Sequence, residues 1–327
     1  ISDVEGIKKV LEPYNIPLIV DEAHGAHFPH DERFPESAIR SGADVVVQSM
    51  HKTLPSFTQT AFLHMKKGFA DKGVAVAYDS RRMSPEFADE AALCLAANGI
   101  KAYVYDSLRA TPQLSYAVRE LNCIAGINIT ASHNPAEYNG YKVYWEDGAQ
   151  ITAPKDKEII GEVQAVTDYH DVKTMDKQAA MDAGLYNVIG KEIDDKYMEE
   201  LKKQIIHPEV IKEVADDIKI VYTPLCGTGN VPVRRILSEL GFKNVYVVPE
   251  QENPDPKFTT LDYPNPEDPK AFTYALKLAK EKGADIVLAT DPDADRLGIY
   301  ALDTKSGEYM PFTGNMSGML IAEYILR

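Results

Sequence analysis

Cysteine is scarce: the 327 residues hold only Cys94, Cys123 and Cys226, an odd number with no CxxC spacing. That fits small core residues in a reducing cytosol better than a disulfide framework, so a cytoplasmic location is expected. Positive charge is also short, with 35 Lys and Arg against 50 Asp and Glu and a formal net charge of −15. Such an acidic balance opposes binding to a nucleic-acid backbone or an anionic membrane surface. No run approaches the roughly 20 consecutive apolar residues that a spanning helix needs, and no basic, apolar leader opens the chain. Internal repeats and low-complexity tracts are lacking. Position 1 is not Met, and the segment from Ser317 to Leu326 reads as an apolar helix stopped at Arg327, so both ends are expected to be cuts.

What is present is an ordinary globular composition, 44% hydrophobic and 26% charged, enough for about two domains. Short β-branched runs alternate with helix-period segments, the pattern of an α/β fold in which crossover helices cover mixed and parallel sheets. Strands are expected at 17–20, 44–48, 73–78, 101–105, 124–130, 218–222, 244–248 and 284–290. The clearest helix is 85–98, with Ser84 as N-cap, Pro85 in the first turn, Ala88, Ala91, Ala92 and Leu95 on one face, and Gly99 at the C-terminal cap. Further helices are expected after Gly229-Asn230 and over 269–282, where Ala271, Ala275, Leu278 and Ala279 keep helical spacing. A polar, glycine-bearing seam lies at 66–73, and the charged stretch 154–218 reads as helices and connectors between two α/β units.

Two loops carry chemistry. Ile124 to Thr130 is a buried-strand pattern that runs into Ala131-Ser-His-Asn-Pro135, which places Ser132 just beyond a strand's carboxyl end, where open α/β sheets bind ligands. A polar turn accounts for the same string on its own, since Ser, Asn and Pro all favour turns. The strand Ile286 to Thr290 then delivers Asp291-Pro-Asp-Ala-Asp-Arg296, three carboxylates at alternate positions that can supply the hard oxygen ligands magnesium prefers. A solvated acidic turn is the bland alternative, but clustered like charges are unfavourable unless a cation joins them. A calcium EF-hand loop needs Gly sixth and Glu twelfth, and Arg296 and Leu302 stand there. The haloacid-dehalogenase pattern wants Thr or Val where Asp295 stands. Arg296 would be a fixed cation facing a substrate phosphate.

These strings, with Tyr78-Asp-Ser-Arg81, Asn139-Gly-Tyr-Lys142, Thr223-Pro-Leu225, Gly227-Thr-Gly229 and Thr313-Gly-Asn315, resemble the α-D-phosphohexomutases from about Gly73 to Arg327, in particular the bacterial phosphoglucomutase/phosphomannomutase branch. The resemblance implies that Ser132 carries a phosphoryl group and that Asp291, Asp293 and Asp295 bind Mg2+ together with a phosphoserine oxygen. It further implies interconversion of hexose 1-phosphate and 6-phosphate through a bisphosphate, with His133, Lys142 and Arg296 near the transfer, Lys142 as general acid/base and Arg296 as electrostatic stabiliser. Cys226 departs from the family, which usually has histidine before Gly-Thr-Gly. By the same comparison the chain has domain I without its start (67–195), domain II (196–312) and only the beginning of domain III (313–327). Lost domains remove binding energy for substrate orientation, so impaired activity, or a catalytically dead product, is a standing alternative.

The front segment, 1–66, has another character. Val20-Asp-Glu-Ala-His-Gly-Ala-His27 and Gln48-Ser-Met-His-Lys-Thr-Leu54 resemble the Orn/Lys/Arg decarboxylases of pyridoxal-phosphate (PLP) fold type I. That match implies Asp21 on the pyridine nitrogen, Lys52 as Schiff base, His24 against the ring, and Ser49 and His51 near the phosphate, an arrangement in which the ring serves as electron sink. A competing reading takes His24, His27 and His30 as a metal cluster, although Pro29 interrupts the helix that would hold them. The segment is only part of a large domain, so weak or no PLP binding is expected. An internal-aldimine absorbance band lost in Lys52→Ala would contradict that.

Overall fold

A computed structural model describes residues 3–14, 16–22, 36–49, 61–65 and 67–326. Its strands are β1 (Ile19–Asp21), β2 (Val45–Ser49), β3 (Ala61–Met65), β4 (Val74–Tyr78), β5 (Ala102–Tyr105), β6 (Ala125–Ile129) and β7 (Tyr141–Trp145). They continue with β8 (Tyr186–Ile189), β9 (Lys219–Thr223), β10 (Asn244–Val247), β11 (Ile286–Thr290), β12 (Leu297–Leu302) and β13 (Tyr309–Phe312). The chain divides into two compact units: Ile1–Gly73, Leu93–Lys101 and Ile151–Leu185 form one; Val74–Ala92, Ala102–Gln150 and Tyr186–Arg327 form the other. No helix among the described residues is long and apolar enough to cross a membrane.

The first unit holds the sheet β1-β2-β3, parallel then antiparallel. Its small core is Ala38, Ala43 and Val46, packed by Val4, Leu18, Val20 and Ile39. Buried Asp44 pairs with Lys8 and accepts from the Leu18 amide at 2.8 Å, which ties helix Val4–Leu11 to the start of the sheet. The expected strands at 17–20 and 44–48 appear as β1 and β2. Of the PLP-type residues, Asp21 and Ser49 have only their backbone described, and His24, His51 and Lys52 lie outside the described residues, as do His27 and His30.

The second unit contains two five-stranded sheets. In one, ordered β7-β6-β4-β5-β8, all neighbours are parallel except β7, which runs antiparallel to β6. In the other, ordered β10-β9-β11-β12-β13, the first three strands are parallel and the last two antiparallel. The first is covered by helix Thr111–Glu120, whose Leu114, Ala117 and Val118 are fully buried against Ala75, Ala77 and Tyr144. The second is covered by helix Thr273–Lys282, whose Ala275 and Ala279 pack on Val221, Val287 and Ala289. Alanines on these faces let the helix axis approach the sheet closely.

Three expectations needed adjusting. Helix Ser84–Ala97 buries Ala88, Ala92, Leu93 and Ala96, so its core face is rotated from the expected one and Leu95 is only partly buried. Gly99, at φ +77°, does end it as expected. Within 154–218, read as helices and connectors, β8 forms a strand and pairs with β5. Strands β3, β7, β12 and β13, each antiparallel to a neighbour, are likewise outside the expected set.

Candidate active site

β6 and β11 each occupy interior positions of their sheets, and each hands the chain at its carboxyl end to one of the two expected loops. After β6, Ser132 sits in the left-handed region at φ +53°, a conformation uncommon for a residue with a side chain. Its amide donates to Thr130 Oγ1 at 2.9 Å, and its hydroxyl donates to Asp291 Oδ2 at 2.8 Å. His133 Nδ1 lies 3.3 Å from the same hydroxyl, with its ring edge-on to Tyr263 at 5.5 Å. Burial, then the nearby Arg296 charge, hold the imidazole below its ordinary pKa.

After β11, Asp291, Asp293 and Asp295 converge, each offering an oxygen within 4.8 Å of the others. Asp291 and Asp293 are fully buried, whereas Asp295 is exposed. Asp291 Oδ1 accepts the amides of Asp295 at 3.1 Å and Arg296 at 3.0 Å, which folds the loop back on its first carboxylate. Asp293 Oδ2 accepts from Lys142 Nζ at 2.8 Å and Thr111 Oγ1 at 2.9 Å, and the Asp293 carbonyl accepts the Thr111 amide at 2.8 Å. Asp293 Oδ1 is buried with no protein partner.

Electrostatics set these carboxylates apart. Burial, then the adjacent Asp293 charge, push Asp291 up to about 8. Burial acts on Asp293 too, but Lys142, Asp291 and Thr111 outweigh it and hold this carboxyl below its ordinary range. Lys142 loses hydration, yet Asp293 and Asp295 hold its ammonium well above the usual lysine value. A cluster of three acids, two of them buried, with one buried oxygen left unpartnered fits a hard divalent cation such as magnesium, and the donor set is all oxygen. Arg296 holds the loop through its amide while its guanidinium, 3.9 Å from Glu267, remains partly exposed.

The structure thus brings together Ser132, His133, Lys142, Asp291, Asp293 and Asp295, with Arg296 beside them. Three further groups had no assigned role in the sequence. Thr111, at the start of helix Thr111–Glu120, accepts from Asn128 Nδ2 at 2.8 Å and passes a hydrogen bond to Asp293. Asp79 and Arg81, at the end of β4, meet at 3.2 Å with both side chains fully buried. The signal for them was two opposite charges placed directly after the apolar run Val74–Tyr78. Gly227 is explained by close approach, since a Cβ there would meet the Pro292 backbone at 2.4 Å and displace the aspartate loop. Cys226 is 1% exposed, with φ +60° and a thiol pushed up to about 11 by burial, so it packs as a neutral core group.

Comparison with known proteins identifies the family. The phosphoglucomutase/phosphomannomutase α/β/α domain I model matches residues 37–170, beginning inside the segment that resembles the decarboxylases, and the domain II model matches 195–304. The phosphoglucomutase of Staphylococcus epidermidis is 34% identical over 296 residues, covering 90% of this chain and 53% of its own. The human phosphopentomutase is 37% identical over 285 residues, covering 84% of this chain and 46% of its own. The crystal structure of a candidate phosphomannomutase from Thermus thermophilus superposes with TM-score 0.64 at 25% identity, over 80% of this chain and 56% of that one. The chain therefore spans about half the length of the relatives it matches. Matched in order by both α/β/α models over about three quarters of its length, the chain belongs to the phosphoglucomutase/phosphomannomutase family.

Proposed function

We propose that this chain carries the phosphoryl-transfer half of a sugar-phosphate mutase that interconverts hexose 1-phosphate and 6-phosphate, with Ser132 as the phosphoryl carrier. The observation that carries the reading is the Ser132 hydroxyl, 2.8 Å from Asp291 Oδ2 beside two further carboxylates. Asp291, Asp293 and Asp295, with the Ser132 oxygen, would hold Mg2+, which when bound supplies charge neutralisation and Lewis acidity to a phosphoryl group. A phosphorus–oxygen bond forms at Ser132 Oγ while the bond to the donor sugar oxygen breaks. The Ser132 hydroxyl is oriented by its hydrogen bond to Asp291 Oδ2, and its proton ends on the departing sugar oxygen. Lys142, kept protonated by Asp293 and Asp295, relays that proton to the sugar oxygen and carries it back in the return transfer. Arg296 offers a cation to the substrate phosphate. His133, with Nδ1 3.3 Å away, orients the serine hydroxyl.

The domain division proposed is 67–195 and 196–312, with 313–327 opening a third domain, preceded by the decarboxylase-like segment 1–66. The relatives include a phosphoglucomutase and a phosphopentomutase, so a pentose phosphate is the competing substrate. A coupled assay with glucose 1-phosphate, mannose 1-phosphate and ribose 1-phosphate, run with Mg2+ and a trace of sugar bisphosphate, tests the reading. Turnover of a hexose phosphate that disappears in Ser132→Ala is expected. Faster turnover of ribose 1-phosphate would overturn the sugar class, and turnover that survives Ser132→Ala would overturn the carrier.

A further inference from the structure

We propose that Arg81 is a positioning residue, whose buried guanidinium gathers the backbone carbonyls of the Ser132 loop and so sets the serine hydroxyl on Asp291. The inference rests on the reading of Ser132 as phosphoryl carrier. Four carbonyls converge on this one side chain. Nη1 donates to Pro135 O at 2.7 Å and Tyr138 O at 2.9 Å; Nη2 donates to Ser132 O at 2.7 Å and also to Asn134 O.

The cation is itself held in place. Nε makes an ion pair with Asp79 Oδ2 at 3.2 Å without a hydrogen bond, and Phe258 lies under the guanidinium at 5.1 Å. Asp79 accepts the Arg81 amide and the Ser84 hydroxyl at 2.9 Å and the Thr130 hydroxyl at 2.7 Å, and Thr130 in turn accepts the Ser132 amide. Both faces of the Ser132 peptide region thus lead back to one ion pair: its amide through Thr130 to Asp79, its carbonyl to Arg81.

A core does not need such an arrangement for stability, because well-packed apolar residues replace buried ion pairs at little or no cost. The pattern is informative for a different reason. Inward-facing carbonyls repel one another and keep the loop in this shape only around a cation. Ser132 itself is held at φ +53°, a strained backbone state that persists only where its surroundings enforce it. With its carbonyl turned in toward Arg81, the serine side chain is turned toward Asp291. Lysine cannot reproduce this, since a single ammonium has three donors and no planar fork.

The test uses the full chain and two variants, Arg81→Lys and Arg81→Ala. Hydrogen exchange should show amides of 131–139 losing protection in Arg81→Lys while those of β4 and β6 keep theirs. Phosphorylation of Ser132 by glucose 1,6-bisphosphate with Mg2+, read by intact mass, should slow roughly 100-fold, the cost of an ångström-scale misplacement. Millimolar guanidinium should restore part of the rate to Arg81→Ala and none to Arg81→Lys. If Arg81→Ala does not fold, Arg81→Lys carries the test alone. Wild-type loop protection and phosphorylation rate in folded Arg81→Lys would overturn the proposal. A wild-type chain that takes up no phosphoryl group would refute the carrier reading instead, and the exchange measurement would still decide whether Arg81 clamps the loop.

Discussion

Replacing Thr111 with valine removes one oxygen atom and little volume, but that oxygen is the only described link between Asn128 and Asp293. Two effects follow. The carboxylate of Asp293 loses a 2.9 Å donor, and a hydrogen bond to a charged group is worth about 1.5–3 kcal/mol. Asn128, fully buried and with its Oδ1 already unpartnered, would also lose the acceptor of its amide, at about 1–3 kcal/mol for a buried group left unsatisfied. Relaxation recovers part of this, so a loss on the order of 3 kcal/mol in unfolding free energy is expected, with Thr111→Ser much nearer wild type. The same change takes away one of the two side-chain donors that aim Asp293 Oδ2, leaving Lys142 to hold it. Loss of a group that orients a metal ligand costs roughly 10- to 100-fold in affinity. Denaturant unfolding measures the first effect and a Mg2+ titration the second. A Thr111→Val chain that binds Mg2+ as tightly as wild type would refute the view that Thr111 aims Asp293.

Other expectations follow from the same cluster. Asp291, pushed up to about 8 in the metal-free chain, keeps a proton that the unfolded chain gives up near the ordinary carboxylate pKa. The folded state therefore binds more protons, and this contribution to stability is present at acid pH and lost as pH rises toward 8. Mg2+ should accordingly raise the melting temperature more at pH 8 than at pH 5.5, and an equal shift at both would contradict the linkage. Gly227→Ala would place a Cβ 2.4 Å from the Pro292 backbone, so Mg2+ affinity should fall even where the variant folds, which the same titration reads. Lys142→Met should release Asp293 from its cation and abolish turnover in the coupled assay; retained turnover would exclude Lys142 from the transfer.

How much of this was legible in the sequence depended on whether a residue's partner was near it in the chain. β6 and β11 are apolar runs that end in their own functional loops, so strand, loop and chemistry could be read from one string. β7 could not. Tyr141–Trp145 mixes Lys with one exposed, one buried and one half-buried aromatic because it is an edge strand, and only pairing with β6 reveals it. β8 is likewise an edge strand of four residues embedded in a charged region. In helix Ser84–Ala97 the error was one of rotation, because alanine occupies so many positions that more than one face looks apolar. The aspartates were recognised because three acids in six residues are conspicuous. Thr111 lies 182 positions from Asp293, and Arg81 lies 51 positions from Ser132, so neither role could be derived from local spacing.

The central claim is that Ser132 receives a phosphoryl group under the control of the aspartate loop. The most direct measurement is site-resolved mass spectrometry of the full chain after incubation with glucose 1,6-bisphosphate and Mg2+. One added phosphoryl group on Ser132 is predicted, absent in Ser132→Ala, in Asp293→Asn and after chelation of Mg2+. An unmodified Ser132 in the folded, Mg2+-loaded chain, or a phosphoryl group found on another residue, would contradict it.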